Sequence, residues 1–138
     1  MRHIAQALRE INASTVIAIG SMQKDQLGSV PEDWIIAREL PQVAMLKYAD
    51  LAIHYGGNNS VQECLGAGVR QLVLPFTTDQ FANAADLEYA EVATILDPNQ
   101  MNTGQVVEAV LALLDIPLRK RQTPISNDSV IQALFDNV

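Results

Sequence analysis

The sequence predicts a single α/β domain: a three-layer arrangement with a parallel sheet of about five strands and helices on both faces. Three observations carry this. Short apolar, β-branched runs alternate with longer stretches at helical spacing, the pattern of strands joined by helical crossovers. Apolar residues make up 49% and charged residues 18% of the 138 positions, enough to bury a core of ordinary domain size. No internal repeat or low-complexity linker divides the chain, so residues 1–138 read as one Rossmann-like layer.

Each element has a local reason. Residues 1–12 place Ile4, Ala5, Leu8 and Ile11 on one helical face. Thr15–Gly20 is a β-branched run ending in glycine and reads as a buried strand. Ser21 to Glu32 is polar, with Gly28 and Pro31, and reads as a loop. Trp34–Ala37 is the second strand, stopped by Pro41, and a short helical stretch follows around Met45 and Leu46. Asp50–His54 is the third strand; Gly56-Gly57-Asn58-Asn59 breaks it, and Ser60–Gly66 reads as helix. Gln71–Pro75 is the fourth strand, Asp79–Glu91 a longer helix and Val92–Leu96 a weaker fifth strand. Thr103–Asp115 carries Val106, Val107, Val110, Leu111 and Leu114 on one face of a helix. A polar tail follows from Pro117, with Arg119-Lys120-Arg121 and a last amphipathic turn through Val130, Ile131, Leu134 and Phe135.

Composition closes several function classes. Nine Lys and Arg stand against sixteen Asp and Glu, a net charge of −7, so a nucleic-acid backbone is repelled on average. Aromatic residues are 5%, too few for a base-stacking platform. One cysteine and two histidines build neither a disulfide nor a Cys/His zinc site. No run approaches the roughly 18 apolar residues of a membrane span, and the first ten residues are charged at both ends, unlike a signal peptide. The expected location is cytoplasmic, with no nucleic-acid partner and no membrane span. Cys64 and Trp34 read as core residues, and His3 and His54 as structural.

Open α/β sheets bind ligands beyond the carboxyl ends of their strands, and two such ends are informative. His54-Tyr55-Gly56-Gly57-Asn58-Asn59-Ser60 leads straight into a helix. Two glycines permit a tight turn and a close approach, and free N–H groups at a helix start attract an anion. Ser60 and Glu63 equally spell Ser-x-x-Glu, a capping box that would stabilise the helix by itself. Both readings stand on local chemistry, and a Gly-x-Gly-x-x-Gly dinucleotide fingerprint is absent. The second end, Pro75-Phe-Thr-Thr-Asp79-Gln80 with Asn83 one turn on, offers a carboxylate and an amide to adjacent hydroxyls. Thr78 as N-cap, with Asp79 in the first turn, explains the same residues without a ligand.

Together these stretches form a pattern: Gly-Gly-x-Asn-Ser-x-x-Glu over 56–63, then Gly68-Val69, then Pro-x-x-x-Asp-Gln-x-x-Asn-Ala over 75–84. With Leu40-Pro41-Gln42 and Leu46 ahead of the third strand, residues 36–115 resemble the C-terminal half of two-Rossmann (GT-B) nucleotide-sugar glycosyltransferases of the UDP-glycosyltransferase type. The resemblance implies a donor-binding domain for a UDP- or dTDP-sugar. It implies diphosphate contacts at Gly56, Gly57, Asn59 and Ser60, and ribose contacts at Glu63. It implies sugar contacts at Asp79 and Gln80, and a base lying near Leu40 and Gln42. It implies transfer by direct displacement with no cofactor and no metal; the sequence holds no Asp-x-Asp motif.

The departures from the pattern also matter. The family's diphosphate-contacting histidine falls on Tyr55, with His54 one residue early, and its proline after Gly-Val falls on Arg70. Adjacent residues of a strand point to opposite faces, so His54 does not simply replace the missing imidazole. The acceptor-binding half, which supplies the catalytic base, has no counterpart, so no catalytic residue is assigned in this chain. The alternatives are a non-catalytic remnant, or the donor subunit of a split enzyme, like the dolichol-pathway N-acetylglucosaminyltransferase, that needs an acceptor-binding partner chain. The family's first strand likewise has no counterpart ahead of the first helix. Unpaired strand edges are costly, so Thr15–Gly20 is expected to pair directly and in parallel with Asp50–His54; a strand from another chain, as in a homo-oligomer, is the alternative.

Overall fold

A computed structural model describes residues 2–77, 80 and 93–115. Ten elements are found there: nine follow the predicted order, and a 3₁₀ turn lies in the segment read as a loop. Helix α1 (Arg2–Ile11) turns its Ile4, Ala5, Ala7 and Leu8 inward. Strand β1 (Val16–Ala18), a 3₁₀ turn (Lys24–Leu27) and β2 (Ile35–Ala37) follow. Next come α2 (Gln42–Leu46), β3 (Leu51–His54), α3 (Asn58–Ala67) and β4 (Arg70–Val73). Strand β5 (Ala93–Ile95) and α4 (Thr103–Leu114) complete the set. The helix expected over 79–91 and the tail beyond Asp115 lie outside the described residues.

All ladders among the described residues are parallel. Strand β1 pairs with β2, Ile17 opposite Ile36, while β3 pairs with β4 and β4 with β5, with Leu72 flanked by Ile53 and Thr94. Both faces are covered. On one, α1 lies against α4, and Ile4, Leu8, Ile17, Trp34, Leu72, Leu74, Val106, Val110 and Leu113 form the principal core. On the other, Val61 meets Val73 and Ala93, and Cys64 meets Leu46 and Val69. Every residue of β4 is buried, as a central strand between two helical layers should be. Trp34 and Cys64 are core, as expected.

The expected closure of the sheet does not occur. Among the described residues β1 and β3 share no ladder, and the five strands form a two-stranded and a three-stranded sheet. The helical layer supplies the reason. Packed helices sit about 8–10 Å apart, about two strand spacings of roughly 4.8 Å. Helix α1 shares the core with Ile17 of β1, and α4 covers β3, β4 and β5. Drawing β1 onto β3 would drive α1 into α4, where His3 Nδ1 already meets Thr103 Oγ1 at 3.0 Å. Ile17, Leu51, Ile53 and Leu72 therefore share one core without sharing one sheet.

Candidate functional site at the carboxyl ends of β3 and β4

Helix α3 starts two residues earlier than its sequence signals. Gly57 (φ −61°, ψ 145°) is the N-cap, and no side chain caps it. The amides of Asn58, Asn59 and Ser60 thus have no acceptor within the helix, whose first bond runs from the Val61 N–H to the Gly57 carbonyl at 3.0 Å. Gly57 and Asn59 are exposed, and a Cβ on Gly57 would meet nothing within 4 Å. The backbone is open on this side. Gly56 is the opposite case. It is buried, has φ +91°, and a Cβ there would stand 3.1 Å from both the Gln80 carbonyl oxygen and Val73 Cγ1. Its lack of a side chain lets the two loops touch, and its N–H donates to His54 Nδ1 at 2.9 Å rather than facing outward. Gly56 is thus the hinge at which the two loops meet, with its N–H engaged by His54.

The start of α3 also gathers the segment before β3. Gln42 Nε2 donates to Glu63 Oε2 at 2.6 Å and lies 3.3 Å from Ser60 Oγ. Three side chains assigned to base, diphosphate and ribose thereby sit in one hydrogen-bonded cluster, all partly buried. Leu40, also half-buried, leads into this turn. The Ser60–Glu63 capping box does not form, because Gly57 is the cap and Ser60 already lies within the first turn. Their spacing places both on one face, toward α2.

At the second loop a capping box does form, one residue earlier than Thr78. Gln80 N–H donates to Thr77 Oγ1 at 3.4 Å, and Gln80 Oε1 accepts from the N–H groups of Thr77 (3.2 Å) and Phe76 (2.8 Å). The side-chain oxygen of Gln80 is thus occupied in holding its own loop, and its amide NH₂ is the remaining donor of the side chain. Asp79 and Asn83 lie outside the described residues. Tyr55 and Phe76 are half-exposed and meet edge to face, with ring centroids 5.1 Å apart at 62°. Tyr55 thus stands at the rim of the site, on the opposite side of β3 from His54.

Two residues were missed by sequence reading: His54 as a partner of the glycine turn, and Gln71, which is fully buried and meets His54 Nε2 at 2.5 Å. A glutamine inside the run Gln71-Leu-Val-Leu was the available signal, since a buried amide needs a polar partner. Arg70, the departure from the proline pattern, lies at the other end of β4, where Nη1 donates to the Asp50 carbonyl at 2.9 Å. It belongs to the amino end of the sheet, away from the loops. The Cys64 thiol is pushed up to about 12 by burial and then by Glu63 beside it, so it is an inert core group.

Burial holds the His54 pKa below its ordinary value of 6.5, with the hydrogen bond to Gln71 opposing. The unfolded chain therefore takes up a proton before the folded one does. Stability from this group is complete above about pH 6.5 and declines as pH falls from there toward the lower folded value. Denaturant titrations across this window should show that slope in the wild type and lose this contribution to it in His54→Asn.

The chain is similar to several known proteins. Residues 2–134 match the family described as erythromycin biosynthesis protein CIII-like, C-terminal domain. The NDP-glycosyltransferase YjiC of Bacillus licheniformis is 30% identical over 106 residues, which is 76% of this chain and 27% of YjiC. The oleandomycin glycosyltransferase of Streptomyces antibioticus is 33% identical over 92 residues, 67% of this chain and 21% of that enzyme. Among solved structures, the kitacinnamycin glycotransferase superposes with a TM-score of 0.77 at 27% identity, covering 83% of this chain and 30% of that one. The spinosyn rhamnosyltransferase SpnG, solved with thymidine diphosphate, gives 0.73 at 28% identity, over 83% of this chain and 32% of SpnG. The chain spans about a fifth to a third of the length of these relatives.

Proposed function

Because this chain belongs to the erythromycin biosynthesis protein CIII-like C-terminal domain family, the C-terminal half of GT-B glycosyltransferases, we propose that it holds the nucleoside diphosphate of an activated sugar for transfer to an acceptor. The supporting observation is the cluster of Gln42, Ser60 and Glu63 at the uncapped start of α3. The amides of Asn58, Asn59 and Ser60, with the Ser60 hydroxyl, receive the diphosphate. Glu63 accepts from the ribose hydroxyls, and Leu40 and Gln42 border the base. Asp79 and the Gln80 amide take the sugar. The leaving diphosphate is stabilised by oriented N–H groups in place of a metal ion. SpnG was solved with thymidine diphosphate, which supports a UDP- or dTDP-sugar as the ligand class.

Titration with UDP and with dTDP, followed by amide shifts, tests the proposal. Residues 57–63 should move first; millimolar ligand that leaves them unmoved would sink it. Tyr55 refines the picture. A phenol brings no positive charge, so Tyr55→His should tighten UDP binding about two- to fivefold below pH 6.5, the effect of one nearby charge worth about 0.3–1 kcal/mol. Equal or weaker affinity, measured by calorimetry at pH 6 and pH 8, would show that this position does not face the phosphates.

The reaction needs an acceptor-binding half that supplies the base removing the acceptor proton. With that half contributed elsewhere, the 138-residue chain alone should transfer no sugar. Turnover of UDP-glucose or a dTDP-sugar by the purified chain, detected as released nucleotide with a panel of hydroxylated acceptors, would overturn this assignment.

A further inference from the structure

His54 lies directly beneath the glycine turn without belonging to any ligand contact assigned above. Its Nδ1 accepts the Gly56 N–H at 2.9 Å, so that nitrogen carries no proton. The neutral ring then carries its proton on Nε2 and donates it to Gln71 Oε1 at 2.5 Å. Only one assignment satisfies both bonds. Turning the Gln71 amide over would place its NH₂ against Nε2, move the ring proton to Nδ1, and set two donors face to face at Gly56. Gln71 is fully buried, and its Nε2 has no partner among the described residues. A buried amide left half-satisfied is costly, which marks its oxygen as the functional end.

We propose that His54 and Gln71 are a positioning pair for donor binding: the neutral imidazole, oriented by Gln71, fixes Gly56 so that the following amides of α3 converge on the diphosphate. The proposal rests on the donor-binding reading. The pair acts as a hydrogen-bond acceptor and not as a positive charge near the phosphates. The same bond holds Gly56 where Gln80 and Val73 close over it, so one ring sets the relation between the diphosphate loop and the sugar loop.

The test separates the two ring nitrogens. An asparagine at 54 can present its Oδ1 where Nδ1 stands and keep the Gly56 bond, whereas a glutamine reaches toward Gln71 and leaves the Gly56 N–H without its acceptor. UDP affinity should fall less in His54→Asn, which keeps the Gly56 bond but loses Gln71, than in His54→Gln, which should lose at least tenfold, at a temperature where both remain folded. Equal losses in both variants, or none in either, would overturn the pair. An independent readout needs no variant. Imidazole ¹⁵N spectra of the wild type at pH 7.5 should show a proton on Nε2 alone, with through-bond coupling between Gly56 N and His54 Nδ1. A proton on Nδ1 refutes the proposal. A wild-type chain that binds no UDP overturns the donor reading and the pair's part in it, even where the expected tautomer is found. UDP bound equally by wild type and His54→Gln overturns the pair alone.

Discussion

Gly56→Ala should abolish measurable UDP binding and destabilise the fold by at least about 1–2 kcal/mol, the cost of a left-handed backbone for an L-residue. The φ of +91° is one part of that cost, and the contact that a Cβ would make with the Gln80 carbonyl and Val73 is the other. The neighbouring Gly57→Ala is the control. At φ −61°, with nothing within 4 Å of its Cβ, Gly57 has no conformational need for glycine. That variant should unfold at the wild-type denaturant midpoint, and any loss of UDP affinity then reports how closely the ligand approaches the backbone. Equal stability of Gly56→Ala and Gly57→Ala would refute the hinge role of Gly56.

Glu63→Ala should weaken UDP binding about 10- to 100-fold, the equivalent of about 1.5–3 kcal/mol for hydrogen bonds to a charged group. Its effect on stability should stay at about 1 kcal/mol, since the bond from Gln42 is the one hydrogen bond to its carboxylate among the described residues. Had Glu63 been a capping partner, stability would carry the loss; Gly57 is the cap, so the two roles come apart. Isothermal titration beside chemical denaturation distinguishes them. A variant that loses stability but keeps its affinity would remove Glu63 from the ribose.

Much of this architecture was legible because its signals are local. The β-branched runs ending in Gly20 and His54, and the apolar stripe from Val106 to Leu114, each specify an element within a few residues. The three loops were assigned to one site by resemblance, and the hydrogen bond from Gln42 to Glu63, 21 residues on, is the physical tie between two of them. What escaped was relational. The capping motif Ser-x-x-Glu is present at 60–63 and unused, while Thr77-x-x-Gln80 is used and was overlooked, because a cap depends on where the backbone leaves the extended region. His54 and Gln71 meet diagonally across two strands, a relation fixed by register: Ala52 opposite Gln71 and His54 opposite Val73. Sheet closure is relational in the same way, because it depends on the width of the helices above the strands as well as on hydrogen-bond demand.

The separation of β1–β2 from β3–β4–β5 divides the molecule's cooperativity. No backbone ladder joins the two sheets among the described residues; they are coupled through the side chains that α1, Ile17 and Trp34 contribute to the shared core. Proteins open in contiguous cooperative units that often coincide with supersecondary motifs. The block α1–β1–β2 can therefore open as one unit while β3, β4 and α3 stay folded. Nearly every group assigned to the nucleotide sits on that second unit, with Leu40 and Gln42 on the connection between them. Protection of the hydrogen-bonded strand and helix amides should fall into two classes along this line, slower in β3 and β4 than in β1 and β2.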